Sequence, residues 1–443
     1  MRPTIRRRFL LIAAIALAGF LAAHAPTPVS GQNAAPPAPA PTVRRLTLEE
    51  ARQLALAGNK SLTLARLNVI EKQHAADAAR KDYLPKIMGV ETYFHFDHDL
   101  GSVVTIQRGK LGLLPPGAAF VDATVLNQDT SLATVFVAQP ITKLIAVNAA
   151  VQLARADEAS AQAQLDKGTR DLLSGVTQAY QGLLGARRIQ AALELQAKLL
   201  EQLLAAKPAP ELRVALVEIK QGLAEVNGEV QELNDQLDSL LDLPACTVLE
   251  LEDPLPPDPP VHCAEDAAQL AMAHDPEVRD AQQGLAKAQA AMKIAKMAYL
   301  PDVNVIGGFA NQTGASYIQP DVGYIGITGS YTFWEWGKKR DVTRQRQATM
   351  ALAQQNLQVT IDKVQLAARK AYSEFDQARQ AYQLAGEMVE ARKAVEKGAA
   401  GAAALQAKAD TSKAELEYMK AEIAYRVADA KLMGLLEEPC AAH

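Results

Sequence analysis

Two kinds of hydrophobic pattern alternate along the chain, and the longer kind has the spacing of amphipathic helices. From Lys143 to Ala206 there is no proline, and the apolar residues recur at helical spacing: Leu165, Leu172, Val176, Tyr180, Leu183, Leu193, Leu200 and Leu203. The first such helix would be roughly 95 Å long at 1.5 Å per residue. We predict long helices over residues 143–206, 211–243, 337–397 and 402–436.

The shorter kind of pattern alternates polar and apolar residues, which is typical of β-strands. The apolar members are Val90, Thr92, Phe94 and Phe96 in one stretch and Ile325, Ile327, Tyr331 and Phe333 in another. We predict two strands within about 86–141 and two within about 302–336, hence four per chain. The apolar parity of the first strand does not match that of Val303, Val305 and Phe309, which predicts a bulge or a different pairing.

A tripeptide marks the change from helix to strand, and it occurs twice. Tyr83-Leu84-Pro85 returns 216 residues later as Tyr299-Leu300-Pro301, and the ungapped segments 49–85 and 265–301 share 13 identities in 37 positions. Proline cannot continue a helix, so each copy is a natural boundary. We predict that Tyr83, Pro85, Tyr299 and Pro301 form helix–strand hinges.

A second repeated block has a shift of 192 residues and aligns Leu165 with Leu357, Tyr180 with Tyr372 and Arg187 with Arg379. The chain therefore consists of two repeated halves, which predicts internal pseudo-symmetry. The halves span residues 46–243 and 263–436. A proline-rich connector, 244–262, joins them, and a tail, 437–443, follows them.

The predicted strands suit either a membrane wall or a hairpin on a soluble core, and the strands alone do not decide between these. Trp334 and Trp336, just before Lys338, Lys339 and Arg340, favour an aromatic girdle at a membrane interface. A sheet in lipid must close, because its edge groups have no water to bond, and four strands are too few. Copies of the chain would then share one barrel, with eight strands in a dimer and twelve in a trimer.

The first residues have the composition of an export signal. Four arginines precede an apolar run from Phe9 to Ala23, so we expect a signal peptide over 1–25, with cleavage after Ala25 or Gly31, and a proline-rich linker over 26–45. The formal net charge of the 443-residue chain is −4, which argues against nucleic acid as a partner.

The order and spacing of these segments resemble the TolC-like outer-membrane efflux proteins. The resemblance rests on Leu46-Thr47-Leu48-Glu49-Glu50-Ala51, the two Tyr-Leu-Pro copies, Gln139-Pro140-Ile141, Phe333 with Gly337, and the Ala-Tyr pairs ending at Tyr180 and Tyr372. It implies a mainly α chain with a transmembrane β part, which forms a homotrimer with a twelve-stranded barrel on an α-helical barrel. It also implies export through a periplasmic adaptor protein and an inner-membrane transporter.

The resemblance places the adaptor contact and the gate at the helix tips, and here the sequence departs from the family. The tip residues are Lys207, Pro208 and Glu211 in the first half and Lys397, Gly398 and Gly401 in the second. The family's aspartates near the second tip are missing from Gly401–Leu405, where Asp410 is the nearest acid.

Other candidate chemistry is sparse. His95, Asp97, His98 and Asp99 have metal-binding side chains, but their spacing on a strand favours a solvated loop. Cys246 and Cys263 bracket the connector, and a disulfide between them would contribute about 3 kcal/mol, with pairing to Cys440 as the alternative. No catalytic or cofactor motif is recognised, so we expect a passive conduit that is not an enzyme; the alternative is a soluble periplasmic coiled-coil scaffold.

Overall fold

The structure, a computed structural model, describes residues 43–102, 124–206, 209–244, 247–253, 261–315, 319–398 and 402–436. The expected signal peptide, most of the linker and the C-terminal tail lie outside these residues. The linker is shorter at its end than expected, because strand β1 already begins there and spans Val43–Leu46.

Four helices make up the first half. They are α1 (Leu48–Gly58), α2 (Lys60–Lys81), α3 (Lys143–Ala206) and α4 (Pro210–Leu241). Thr47 and Glu50 form a reciprocal capping box at the start of α1, and the side chain of Asn59 caps α2. The bounds of α3 are those predicted from the sequence.

The second half repeats this order with α5 (Ala264–His274), α6 (Pro276–Met297), α7 (Lys338–Gly398) and α8 (Ala402–Leu436). Asp275 caps α6 by accepting hydrogen bonds from the amides of Glu277 and Val278, and Pro276 occupies the first turn. The predicted bounds of α7 and α8 agree with the structure within one residue.

The strands beside the helices form one antiparallel sheet. Its members are β2 (Lys86–His95), the short β3 (Leu100–Ser102), β4 (Thr124–Pro140), β6 (Asp302–Ala315) and β7 (Asp321–Ser330), in the order β2-β4-β6-β7 with β3 on β4. The four long strands are the predicted ones, two in each half, whereas the short β3 was not predicted. In the part of the chain that the structure describes, β2 and β7 are the two edges of this sheet.

The strand register obeys the repeat found in the sequence. Lys86 of β2 lies opposite Ala138 of β4, and Asp302 of β6 lies opposite Ser330 of β7. Asp302 follows Lys86 by 216 residues, and Ser330 follows Ala138 by 192. The two strand pairs are therefore copies of each other in their register as well as in their order.

The last predicted strand is too long. The alternation through Tyr331 and Phe333 predicted a strand to about residue 336, but β7 ends at Ser330. Trp336 and Gly337 then adopt positive φ values of 53° and 85°, which turn the chain into α7 and are incompatible with a strand. Apolar alternation alone does not identify the point at which the backbone leaves a sheet.

The two apolar sets used to predict the membrane wall lie on opposite faces of the sheet, which corrects the expectation of one matching face. Directly opposed residues of an antiparallel pair share a face. Ile87 faces Val137, Val135 faces Phe309, and Val305 faces Ile327. Val90 and Phe94 have the other parity. The register of β2 with β4 is continuous, and the one shift in β4 lies farther out, between Leu126 and Ser131.

A small parallel sheet lies beside the long helices and was not predicted. Strand β1 pairs with β5 (Val248–Leu251) from Val43 opposite Val248 to Leu46 opposite Leu251. The hydroxyl of Tyr180, a fully buried side chain of α3, lies within hydrogen-bonding distance of the carbonyl oxygens of Leu46 and Glu252. This sheet therefore fastens the beginning of the first half and its connector to the middle of α3.

Among the described residues, the hydrophobic core forms two clusters, one in each half. The first is built around Leu46, Val176, Tyr180, Leu183, Leu237 and Leu249, and the second around Ala268, Ala371, Phe375, Leu432 and Leu436. Helix α3 packs on α2 and α4 of its own half and on α6 and α8 of the other, whereas α7 packs on α5, α6 and α8.

Candidate functional site

The two Tyr-Leu-Pro copies lie where helix changes to strand. Helix α2 ends at Lys81 and β2 begins at Lys86, while α6 ends at Met297 and β6 begins at Asp302. One last turn closes each helix, with the amides of Leu84 and Leu300 bonded to carbonyl oxygens three residues earlier at 3.0 Å. Tyr83, Pro85, Tyr299 and Pro301 therefore form these junctions, and their movement as hinges stays a prediction.

The loop after β7 exposes a group of aromatic rings. Trp334 is 72% exposed and Trp336 is 88% exposed, and their rings meet edge to face with centroids 5.8 Å apart. Tyr331 and Phe333 form a second edge-to-face pair, and the ammonium of Lys339 lies 4.5 Å from the Tyr331 ring centroid. The loop thus presents a preformed apolar surface, as a membrane girdle requires.

One face of the sheet carries an exposed apolar band next to the helices. Ile325 and Ile327 are 85% and 75% exposed, and Ile87, Val135 and Phe309 on the same face are exposed as well. The other face is mixed at this level, with Lys86, Asn304 and Thr328 beside Met88, Phe136 and Ile306. Farther from the helices the face of Ile87 becomes polar, at Glu91, Asn311 and Asp321. Such a sheet suits a boundary between an apolar and an aqueous phase.

The residues predicted for the helix tips are only partly described. Lys207, Pro208 and Gly401 lie outside the described residues. Glu211 lies in the first turn of α4, and Lys397 and Gly398 end α7. Near the second tip, Asp410 lies 3.4 Å from Arg392 across the α7–α8 hairpin. The carboxylate of Asp410 therefore pairs with Arg392 and does not point freely toward the expected gate.

The two halves meet along α3 and β4, and we call the contacts of these two elements with α6, α8 and β6 the internal seam. At its strand end, Lys143 lies 2.7 Å from Asp302, Lys293 lies 2.9 Å from Gln152, and Ser160 bonds Asp280. Farther along, Gln196 bonds Ser412 and Arg188 bonds Glu422. Polar side chains thus join the two halves at both ends of the internal seam.

Glu277 occupies the centre of the internal seam. Its carboxylate lies 2.6 Å from the ammonium of Lys167 on α3 and 2.9 Å from that of Lys363 on α7. The hydrogen bond from Lys167, assisted by Lys363 against the opposing effect of burial, lowers the pKa of Glu277 from 4.5 to about 2. The group therefore stays ionised at every physiological pH and ties three helices together.

A stack of aromatic rings joins α7 to α8. Tyr382 stacks on Tyr418 and Tyr425, and Tyr425 packs on Phe375. The hydrogen bond between the hydroxyls of Tyr382 and Tyr418, together with burial, raises the pKa of Tyr382 to about 12. This stack was missed from the sequence, although the seven-residue spacing of each aromatic pair, Phe375 with Tyr382 and Tyr418 with Tyr425, is a signal for it.

The helices at the two outer edges of the chain carry apolar side chains that no other element covers in the described residues. On α7, exposed side chains recur along one side: Leu352, Val359, Leu366, Leu384, Met388 and Val395, which are 52–71% exposed. At the opposite edge, α2 exposes Leu64, Leu67 and Ile70, and α4 exposes Val214 and Val217. In the described part of the chain, α7 makes no extensive contact with α2 or α4, whereas α3 packs on both.

The candidate metal residues do not form a site. His95 lies 2.8 Å from Asp129, His98 lies 2.6 Å from Asp97, and Asp99 accepts a hydrogen bond from the amide of Gln128. Among the described residues, no group of three or more His, Cys, Asp or Glu side chains could hold a metal ion. Cys246 lies outside the described residues, and the sulfur of Cys263 caps α5, so the disulfide stays a prediction.

None of the helices in the described ranges is both long enough and apolar enough to cross a bilayer.

Comparison with solved structures identifies the fold. A membrane protein from Pseudomonas aeruginosa matches with a TM-score of 0.69 and 16% identity over 88% of this chain and 93% of that one. The outer-membrane channel OprN matches at 0.67 with 17% identity, covering 88% and 90%. The open state of the Neisseria gonorrhoeae MtrE outer-membrane channel matches at 0.67 with 16% identity, covering 88% of both. No protein-family model and no curated protein matches the sequence.

Proposed function

We propose, from its TolC-like outer-membrane channel fold, that this chain is the outer-membrane conduit of an export system. Three copies would form a twelve-stranded barrel in the outer membrane, continued by a helical tube into the periplasm. Substrate would pass through the water-filled lumen, and an inner-membrane transporter, reached through a periplasmic adaptor, would supply the energy. The protein would perform no catalysis of its own.

The observation that carries the proposal is the incomplete sheet. The described residues supply four long strands with β2 and β7 as edges, and an edge in lipid leaves backbone groups without hydrogen-bond partners. The exposed apolar band of Ile87, Val135, Ile325 and Ile327 suits contact with lipid chains. Two copies would give eight strands and a lumen filled by side chains, whereas three give twelve strands and room for a passage.

The helices support the same assembly. Helix α3 is covered on both sides, whereas α7, its counterpart in the second half, leaves a side uncovered with exposed leucine, valine and methionine side chains. A soluble monomer would expose this contiguous apolar surface to water. A neighbouring copy would cover it, and the rings of Trp334 and Trp336 would then mark the periplasmic surface of the membrane.

The test is fractionation followed by conductance. We expect the full chain to be found in the outer-membrane fraction, to require detergent for extraction and to form ion-conducting pores in planar lipid bilayers. A chain released by osmotic shock as a water-soluble monomer would contradict the proposal and would favour a periplasmic coiled-coil scaffold. Substitutions at Lys207, Glu211 and Lys397 should weaken adaptor binding and leave the conductance of the isolated protein unchanged.

A further inference from the structure

From the repeat we infer which residues pair between neighbouring copies of this chain, and that two of these pairs are ion pairs. The inference rests on the proposed shared barrel, which says that copies meet but not which residues meet. The contact between β7 and α7 of one copy and β2, α2 and α4 of the next is called the external seam. Because the halves are repeats, the external seam should copy the internal seam with each residue replaced by its counterpart.

Each residue is assigned its counterpart by a constant difference in residue number between the halves, and contacts in the structure support these differences. Strand register gives 216 residues for the first block and 192 for the second, as Lys86 with Ala138 and Asp302 with Ser330 demonstrate. For α4 and α8 the shift is 195, because the fully buried Leu237 and Leu432 occupy equal places in the two cores. The ion pair Glu201–Lys220 then corresponds to Lys393–Glu415, and both are present.

This last correspondence also shows that the chain exchanges charges between its halves. Glu201 of α3 pairs with Lys220 of α4 at 2.9 Å, whereas Lys393 of α7 pairs with Glu415 of α8 at 3.3 Å. The attraction is kept although each sign is reversed. A reversed pair of charges is therefore the kind of evidence that identifies equivalent contacts in this protein.

The internal pair Lys143–Asp302 has such a reversed counterpart across the external seam. Lys143 corresponds to Glu335, and Asp302 corresponds to Lys86. Likewise Gln152 and Lys293, which are 2.9 Å apart, correspond to Arg344 and Asp77. Opposite charges at both places would attract across the external seam, and like charges, which would oppose assembly, do not occur at either.

Two polar contacts of the internal seam correspond to exposed apolar pairs. Ser160 with Asp280 corresponds to Leu352 with Leu64, which are 71% and 68% exposed in the single chain. Gln196 with Ser412 corresponds to Met388 with Val217, which are 52% and 65% exposed. Burying these side chains in the external seam would remove their apolar surface from water and so favour assembly.

The repeat also predicts the register between β7 of one copy and β2 of the next. Phe136 of β4 lies opposite Gly308 of β6, so Thr328 of β7 should lie opposite Thr92 of the next copy's β2. Gly326 should then lie opposite Phe94, and Ser330 opposite Val90. A shift of two residues in either direction would keep the faces but break the Glu335–Lys86 and Arg344–Asp77 pairs.

Disulfide trapping tests this register. In the full chain with Cys246, Cys263 and Cys440 replaced by serine, Thr92→Cys with Thr328→Cys should cross-link neighbours into a ladder that ends at three copies. The control pairs, Thr92→Cys with Gly326→Cys and Thr92→Cys with Ser330→Cys, should cross-link several-fold less. Stronger cross-linking of a control pair would overturn the inferred register, while a detergent-extracted trimer in the same sample would leave the proposed function intact.

Charge exchange tests the ion pair even if a cysteine variant does not fold. Lys86→Glu and Glu335→Lys alone should each lower the temperature at which the oligomer dissociates, and the double exchange should restore it. Exchange of the internal pair Lys393 and Glu415 is the control, because it lies within one chain. Additive losses in the Lys86/Glu335 double variant would overturn the ion pair, and a chain that is monomeric without any substitution would instead contradict the proposed function.

Discussion

The hydroxyl of Tyr180 lies 2.7 Å from the carbonyl oxygen of Glu252, within the connector between the halves. The phenol is fully buried against α1, β1 and β5, and its hydroxyl also reaches Leu46. Burial raises the pKa of Tyr180 from 10 to about 12, since the phenolate would lie in apolar surroundings beside carbonyl oxygens. This contact makes the connector a structural part of the first half.

Tyr180→Phe should destabilise the fold by about 1 kcal/mol at neutral pH, because it removes the hydrogen bond of a buried hydroxyl, while the carbonyl oxygen of Leu46 keeps the amide of Glu252 as a donor. A raised pKa means that the native contact is fully present below pH 10 and is lost as the pH rises toward 12. The difference between the parent and Tyr180→Phe should therefore shrink over this window in thermal unfolding measurements. Tyr372→Phe, which removes a more exposed hydrogen bond to His262, should cost less; a pH-independent difference at Tyr180 would contradict the assignment.

Glu277→Gln should weaken the internal seam at neutral pH by about 1 kcal/mol, allowing for the exposure of the two lysines. The carboxylate has a lowered pKa, so its contribution is present above pH 4.5 and is lost as the pH falls toward 2. Unfolding midpoints of parent and variant should thus converge in acid. Lys363→Met, which removes the more exposed of the two ammonium groups, should cause a smaller loss of stability than Glu277→Gln. Unfolding midpoints of parent and Glu277→Gln that stay equally far apart down to pH 2 would contradict the role of the Glu277 carboxylate.

Gly185→Ala should separate α3 from α8, because a methyl group there would overlap the Cγ1 and Cδ1 atoms of Ile423. The matched control is Gly284→Ala on α6, where a methyl group meets nothing within 4 Å and should be neutral or stabilise the helix by up to about 1 kcal/mol. Stability of the oligomer in detergent measures both. In a double-mutant cycle, Ile423→Ala should reduce the loss of stability caused by Gly185→Ala. Equal effects of the two glycine substitutions would contradict close packing in the internal seam.

Ile327→Arg should impair insertion of the sheet, whereas Thr328→Arg, on the adjacent position and opposite face, should be tolerated. An arginine toward lipid costs about 2–4 kcal/mol at mid-membrane, while one toward an aqueous lumen does not. Outer-membrane yield of the two variants gives the comparison, and conductance should change only for Thr328→Arg. Equal yields would mean that the exposed apolar face is not the lipid face.

The sequence predicts the parts of this fold that are long or repeated. Helix α3 lacks proline over 64 residues and carries a continuous apolar pattern, so its bounds follow from local rules. Tyr83-Leu84-Pro85 and its copy identify the helix–strand junctions because a proline limits the helix in both places.

Short or long-range features are not predictable in this way. Strands β1 and β5 have four residues each and pair across some 205 positions, as Arg45 and Glu250 do, so neither has a local signal strong enough to identify it. The face of β2 was misassigned since Val90 and Phe94 are apolar, and only the pairing with β4 and β6 reveals that Ile87 belongs to the face of Ile327. The ion pairs of the external seam could be inferred only by combining the sequence repeat with the contacts observed in the internal seam.

Native mass spectrometry of the detergent-extracted full chain tests the central claim most directly, because the proposed conduit requires several copies to close one sheet. We predict a complex with three times the mass of one chain, which dissociates to monomers only when the sheet is denatured. A complex of any other copy number would contradict the twelve-stranded barrel, and a water-soluble monomer obtained without detergent would contradict the conduit itself.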